Sequence, residues 1–382
     1  MDPIYLDYNA TTPIDPQVAE AMLPFVHQHY GNPSSSHELG VTAHVAVEEA
    51  RGRIGEMMGC LPQEVVFTSG GTEANNYAIK GVAGAYSAKG NHIITSSVEH
   101  PAVIEVCRYL EEKGSRVTYL PVDQFGFLDP RQVSDAITDQ TVLVTVMHAN
   151  NEVGTVEPIK EIAEIAHRRG VLVHADCAQS IGKIPVNVDD LGVDLLTVAG
   201  HKLYAPKGIG VLYVRTGVRL EKLIHGANHE MNWRAGTENV IEIVGLGKAC
   251  QLIHQNLPEY QGHMMKMRDQ LESGLLDRFP DSRVNGHPEK RLPNTSSISF
   301  KNIEANRILD RLTNVAASAG AACHSDRVEV SSVLEAMNVP LEYAMGTIRF
   351  SVGRFTTSSE IQLATEEISR VITDLAPAHQ TG

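Results

Sequence analysis

Four groups of chemically capable residues stand just after short apolar runs. Lys202 lies in Gly200-His201-Lys202, directly past Leu195-Leu196-Thr197-Val198. A lysine amine partly withdrawn from water loses pKa and becomes a Schiff-base nucleophile, although a single lysine is ordinarily a solvated surface residue. Asp176 sits two residues past His174, with Gln179 three residues further on. A carboxylate there can face a ligand crevice, and alone it is more often a turn or cap residue. Ser69-Gly70-Gly71-Thr72-Glu73 joins a strand-like run to a helical pattern. Its glycines admit close backbone approach, and a helix amino terminus offers unpaired N–H groups to an anion. By itself this stretch reads more readily as an ordinary turn capped by Thr72. Finally, the small-residue stretch Ser318 to Ala322 precedes Cys323, which His324, Ser325 and Asp326 follow. The composition predicts a mobile, exposed loop on which a thiolate can form and attack, and spacing alone leaves that role open. The other four cysteines (Cys60, Cys107, Cys177, Cys250) are expected to be small core residues. Together, a lysine for an aldehyde, a carboxylate for a pyridinium nitrogen and an anion cradle meet the needs of pyridoxal phosphate.

The elements that must position these groups alternate in type. Val65 to Thr68, Ile93 to Thr95, Val117 to Leu120, Val142 to Val146, Val171 to His174 and Leu195 to Val198 are near-continuously apolar and β-branched. Helical patterns (Glu73 to Ala85, Ala102 to Lys113, Ile159 to Arg168) fall between them. This is the pattern of an α/β fold with a mostly parallel sheet covered on both faces, whose ligands sit outside the carboxyl ends of the strands. Past about Ala249 the rhythm changes. Pro258 precedes a helical pattern from Glu259 to Arg278 whose Met264, Met265 and Met267 are expected in a core. Strand-like Ser296 to Phe300 and Ile348 to Val352, helix-like Glu304 to Leu312 and a final helix from Ser359 to Leu375 follow. The expected division is a large domain over 15–255 and a smaller α+β domain built from 1–14 with 256–382.

The 382 residues are enough for two cores. With 32 Lys+Arg against 46 Asp+Glu the net charge is −14, which gives no general attraction to phosphate backbones. No direct nucleic-acid partner is expected. Five scattered cysteines without C-x-x-C spacing argue against a disulfide framework or structural zinc and for a reducing compartment. The amino terminus shows no secretory h-region and no apolar run is long enough for a membrane helix, so a cytoplasmic location is expected.

Beyond these local readings, the chain resembles the cysteine desulfurases, fold-type-I pyridoxal-phosphate enzymes that include the selenocysteine lyases. The likeness runs nearly end to end: Tyr5-Leu6-Asp7-Tyr8-Asn9-Ala10-Thr11-Thr12, Gly31-Asn32-Pro33-Ser34-Ser35, Ser69 to Asn76, Ser97-Val98-Glu99-His100, Asn150-Asn151-Glu152, Gly200-His201-Lys202, Arg234 to Asn239 and Ser351-Val352-Gly353-Arg354. The stretch after Cys323 resembles the branch whose catalytic cysteine rides on an extended loop. The resemblance implies a seven-stranded-type large-domain sheet. It implies that Lys202 bonds covalently to the cofactor aldehyde, Asp176 holds the pyridinium protonated and Gln179 bonds the phenolic oxygen. His100 would stack on the ring and shuttle the thiol proton, while Gly71, Thr72 and His201 bind the phosphate. Thr237 would reach the neighbouring subunit's phosphate, implying a homodimer. Asn151 and Arg349 would hold the substrate, Arg349 as a bidentate carboxylate clamp.

The implied reaction converts L-cysteine to alanine, with sulfur retained on Cys323 as a persulfide for an acceptor protein. Iron–sulfur assembly, tRNA thiolation, DNA sulfur modification and selenium delivery can all begin there. Two departures stand out: Ala199 replaces a serine that many relatives use as a phosphate ligand, and 225–233 replaces a more glycine-rich loop. The alternative is a lyase releasing selenium from L-selenocysteine. Cys323-His324-Ser325-Asp326 resembles the animal lyases, whereas Pro101 stands where those carry an acidic residue.

Overall fold

The computed structural model describes residues 3–324 and 327–375. Seven strands form the main sheet in the order Val65–Thr68, Gly210–Val214, Leu195–Ala199, Leu172–Asp176, Thr141–Met147, His92–Ser96 and Arg116–Leu120. Neighbours run parallel except Gly210–Val214, which is antiparallel to both its partners. Val65–Thr68, His92–Ser96, Thr141–Met147 and Leu195–Ala199 are buried along their whole length, as strands covered by helices on both faces must be. The expected α/β architecture is present. Gly210–Val214, not among the six strands expected from the sequence, lies between the first of them, Val65–Thr68, and the sixth, Leu195–Ala199.

Helix Gly71–Ala85 contributes Tyr77, Ala78, Ile79 and Val82 to one side of the sheet, together with Val103, Val106 and Cys107 of helix Pro101–Glu112. On the other face lie Val47, Ala50 and Ile54 of Glu38–Met58 and Ile162 and Ala166 of Ile159–Arg168. The long helix Val240–Leu276 packs so closely on Glu38–Met58 that a Cβ on Gly247 would lie 2.6 Å from Ala50.

A second core lies against a four-stranded antiparallel sheet ordered Ser318–Ala319, Thr347–Ser351, Thr295–Ser299 and Arg283–Asn285. It gathers Ile4 and Leu6 with Ile298, Phe300, Ile348 and Phe350 and with Ile361, Ile368 and Ile372 of helix Ser358–Leu375. The chain's first residues thus join the second core.

Three local expectations differ. No helix starts after Pro258: Val240–Leu276 runs straight through it. Ile243, Leu246 and Ile253 anchor one half in the first core, and Met264, Met267, Leu271 and Leu275 anchor the other in the second. That packing outweighs the roughly 3 kcal/mol that an interior proline costs a helix. Met264 and Met267 fill the core, but Met265 faces outward at 46% exposure, because positions i and i+3 of a helix share a face and i+1 does not. The stretch expected as an irregular loop pairs as a hairpin, Ala321–His324 against Arg327–Val330, with Cys323 opposite Val328.

Candidate active site

The carboxyl ends of the parallel strands converge on a cleft of about 330 Å³, lined among others by Asn9, Gly71, Thr72, Asn75, His100, Asn151, Asp176, Gln179, His201, Lys202 and Arg349. Asp176 is the last residue of its strand. Lys202 ends a 3-10 turn just past Leu195–Ala199. That turn needs Gly200, since a Cβ there would sit 2.8 Å from Ile209 Cγ2.

Lys202 Nζ donates to the main-chain oxygens of Asn9 at 2.6 Å and Ala10 at 2.7 Å. Burial lowers its pKa to about 8, with Arg349 acting the same way and Asp7 and Asp176 opposing. The amine is therefore far nearer its nucleophilic form at neutral pH than an exposed lysine. Asp176 accepts from Asn75 Nδ2 at 2.7 Å on Oδ2 and from the N–H of Ala178 at 2.9 Å on Oδ1. These bonds fix the carboxylate with its charge toward the cleft.

His100 Nδ1 accepts the N–H of Ala102 at 3.0 Å, capping helix Pro101–Glu112. In the neutral ring the proton accordingly resides on Nε2. Burial lowers its pKa; Asp176 opposes this and Lys202 adds to it. Glu99, one residue before, is buried and accepts from Ser96 Oγ at 2.6 Å and Met147 N–H at 3.0 Å. Burial raises its carboxyl to about 8, so it remains protonated at neutral pH. His201 Nδ1 lies 3.1 Å from Thr11 Oγ1, and burial, with Lys202 and Lys207, lowers its pKa to about 4.

Helix Gly71–Ala85 starts after Gly70 without a side-chain cap, so its first-turn N–H groups are left for an anion. Gly70 has φ 150° and ψ −179°, a conformation that glycine alone takes up readily. Ala199 approaches the same turn: a Cβ on Gly71 would lie 3.2 Å from Ala199 Cβ. The segment over 225–234 is fastened to the main sheet and to helix Gly71–Ala85. Glu230, Met231 and Asn232 all take positive φ, and Glu230 pairs with Arg51 at 2.8 and 2.9 Å while accepting the N–H of Phe67 at 2.8 Å. Arg234 pairs with Glu73 in the first turn of helix Gly71–Ala85 at 2.8 Å.

Arg349 comes from the second sheet. Its Nη2 pairs with Asp7 Oδ1 at 2.7 Å and its Nη1 donates to Asn151 O at 3.1 Å. The cleft thus gathers nine of the expected residues and Asn75. Thr237 is exposed and does not line the cleft of its own chain. Cys323 is placed by its backbone in the hairpin, while its thiol and residues Ser325 and Asp326 lie outside the described residues. Two buried residues of the site carried little local signal: Asn9, known only as part of a motif, and Lys183, a lysine four residues after Gln179.

An amine for an aldehyde, a carboxylate, a flanking imidazole and an uncapped helix terminus fit pyridoxal phosphate, and buried Asn75 Oδ1, without a hydrogen-bond partner, leaves polar capacity in the same cleft. Fold and site define a fold-type-I pyridoxal-phosphate enzyme. The sequence model of the family described as aminotransferase class-V matches residues 4–363, and the chain belongs to that family. It is 48% identical over 374 residues to a cysteine desulfurase IscS of Dictyoglomus turgidum, covering 97% of this chain and 95% of that protein. Among solved structures, a NifS-like protein superposes with a TM-score of 0.92 at 37% identity, covering 98% of this chain and 100% of that one. A structure titled SspA in complex with cysteine gives a TM-score of 0.82 at 35% identity, covering 92% and 99%.

Proposed function

We propose that this chain is a cysteine desulfurase that moves the sulfur of L-cysteine onto Cys323 and releases L-alanine. The observation that carries the reading is one cleft holding the amine of Lys202, depressed to about 8, beside the Asp176 carboxylate and the Arg349 guanidinium. The cysteine-bound structural relative and the desulfurase relatives support the substrate.

When bound, pyridoxal phosphate supplies an aldehyde for the substrate amine and a conjugated ring that accepts the electrons of the broken Cα–H bond. The first-turn amides after Gly70, with Thr72 and His201, would hold its phosphate. Asp176 would keep its ring nitrogen protonated, and Gln179 would bond its phenolic oxygen. Arg349 and Asn151 bind the substrate, with the guanidinium on its carboxylate. Lys202 Nζ would take the Cα proton of the substrate and give it back. His100 carries a proton to or from the substrate thiol at Nε2. The Cys323 thiolate attacks the sulfur: the Cβ–S bond breaks, an S–S bond forms, and Cβ takes up a proton as alanine leaves. Cysteine plus enzyme thiol thus becomes alanine plus enzyme persulfide, with no external oxidant.

The working unit is a homodimer. Leu23, Val26, Tyr30, Val41 and Val45 are each about half exposed or more, an apolar surface of the kind that marks an interface, and Thr237 is free to reach a second copy's phosphate turn. The division near residue 255 is proposed to separate the cofactor-binding part from the part carrying the cysteine. Incubation with L-cysteine, followed by alanine quantification and peptide mass mapping, tests the function. Alanine in step with one added sulfur on the Cys323 peptide is expected. No turnover of cysteine overturns the reading, and turnover of selenocysteine alone replaces it with the lyase.

A further inference from the structure

Lys183 is a buried amine with no part in the reaction above. After Asp176 the chain winds through consecutive turns: the N–H groups of Ser180 and Ile181 bond Cys177 O, and those of Lys183 and Ile184 bond Ser180 O. Gly182 takes φ +79° between them, with Ile253 packed where its Cβ would be. The winding brings Lys183 back beneath Gln179, at 4% exposure. Its Nζ donates to Gln179 Oε1 at 2.7 Å and Asn9 Oδ1 at 2.9 Å. Both are neutral carboxamide oxygens, whereas a buried lysine ordinarily meets a carboxylate. Burial, joined by the charges of Lys202 and Arg349, drives its pKa well below the usual lysine value. An uncharged amine has two N–H groups, and both are matched here.

A glutamine carboxamide can present oxygen or nitrogen to the same place by a half-turn. A donor fixed on Oε1 removes that freedom. Gln179 Nε2 then donates one hydrogen to Asn9 O at 2.9 Å, and its second hydrogen is left for the cleft that Gln179 lines. The same amine orients Asn9. Its Oδ1 takes N–H groups from Lys183 and from Asn294 at 2.9 Å, so its Nδ2 faces Asn151 O at 3.1 Å and Thr295 Oγ1 at 2.8 Å.

We propose that Lys183 is a positioning residue that holds Gln179 with an N–H toward the cofactor's phenolic oxygen and thereby sets the protonation equilibrium of the lysine-bound cofactor. The inference rests on the pyridoxal-phosphate reading and on Gln179 facing that oxygen. A donor at a phenolate oxygen favours the anion, whereas a carboxamide oxygen in its place opposes it. With Lys183 removed, Gln179 keeps only the Asn9 O anchor on Nε2, its carboxamide is less firmly held, and the bound cofactor holds its proton to higher pH.

The experiment is a pH titration of the visible absorption band of the loaded protein. Lys183→Met is expected to raise the midpoint by about one pH unit, the scale of one hydrogen bond to a charged group. In a Gln179→Ala background the same change is expected to add nothing, because Lys183 acts through Gln179. An unchanged midpoint in Lys183→Met, or an equal further shift in the Gln179→Ala background, overturns the proposal. If circular dichroism shows that Lys183→Met has lost the fold, Lys183→Gln, which keeps a polar side chain in the buried site, decides: the midpoint is expected to rise in the Gln179 protein and not in the Gln179→Ala background, and equal shifts in both overturn the proposal. A wild-type protein that forms no visible band would instead sink the cofactor reading, a separate failure.

Discussion

Lys202 Nζ donates a 2.6 Å hydrogen bond to the main-chain oxygen of Asn9, across 193 positions of sequence. The nucleophilic amine of the main sheet therefore rests on the segment that also ties into the second sheet, where Asn9 N–H bonds Ser351 Oγ at 2.9 Å. The lysine is held between the two cores without a carboxylate pairing directly with its ammonium, which is how burial brings its pKa to about 8.

That value gives a pH dependence for cofactor capture. The folded pKa lies below the ordinary lysine value, so the amine is protonated and inert well below pH 8 and neutral and nucleophilic above it. Stopped-flow mixing of cofactor-free protein with pyridoxal phosphate is expected to show a capture rate that rises with pH through a midpoint near 8. Arg349→Ala is expected to move this midpoint upward, since the guanidinium helps to lower it. A rate flat between pH 6.5 and 9.5 would contradict the assignment.

Asp176 is held at the cleft by Asn75 and the Ala178 amide, and the proposed role of its charge is toward the cofactor ring. Asp176→Asn keeps the shape and removes the charge. Alanine formation is expected to fall about 10²–10³-fold, the usual loss for one preorganised electrostatic contact, while the circular dichroism spectrum is unchanged.

Arg349 is aligned before substrate arrives, by Asp7 on one nitrogen and Asn151 O on another. Arg349→Lys loses the planar two-pronged geometry. The KM for L-cysteine is expected to rise about 10–100-fold, as for one lost charged hydrogen bond. Binding of cysteamine, which has no carboxylate, is expected to be unaffected in the same variant, as read from changes in the visible band.

Cys323→Ser is expected to bind cofactor and L-cysteine normally and to carry no persulfide by mass spectrometry. Persulfide found elsewhere on the chain, with desulfuration at the wild-type rate, would assign the sulfur to another thiol. Cys107, Cys177 and Cys250 are poor candidates, because burial holds their thiols protonated.

Leu23→Asp with Val26→Asp is expected to convert a dimer into a 41.6 kDa monomer by light scattering and to weaken cofactor retention, because each phosphate turn would lose the Thr237 of the second copy. A wild-type protein that is monomeric at micromolar concentration would remove that role from Thr237.

The sheet was legible because its strands are unbroken apolar runs, a pattern set by burial on both faces. Lys202, Asp176 and Gly71 were legible because each stands two to four residues past such a run, where the strand's end alone brings the chain to the crevice. Pro258 misled, because a local breaker was overridden by two cores holding one helix. Met265 misled because composition does not say which face of a helix is buried.

The amino-acid order by itself determined the alternation of strands and helices, the residues at the strand ends and the family likeness, since these depend on neighbours a few positions apart. Tertiary structure alone decided that Asn9 receives Lys202, Gln179 and Lys183, that Asp7 aligns Arg349 across 342 positions, and that a lysine amine beneath Gln179 meets two neutral oxygens. The physical reason is that hydrogen-bond partners and desolvation are properties of what packs against a group in space. No spacing along the chain encodes them.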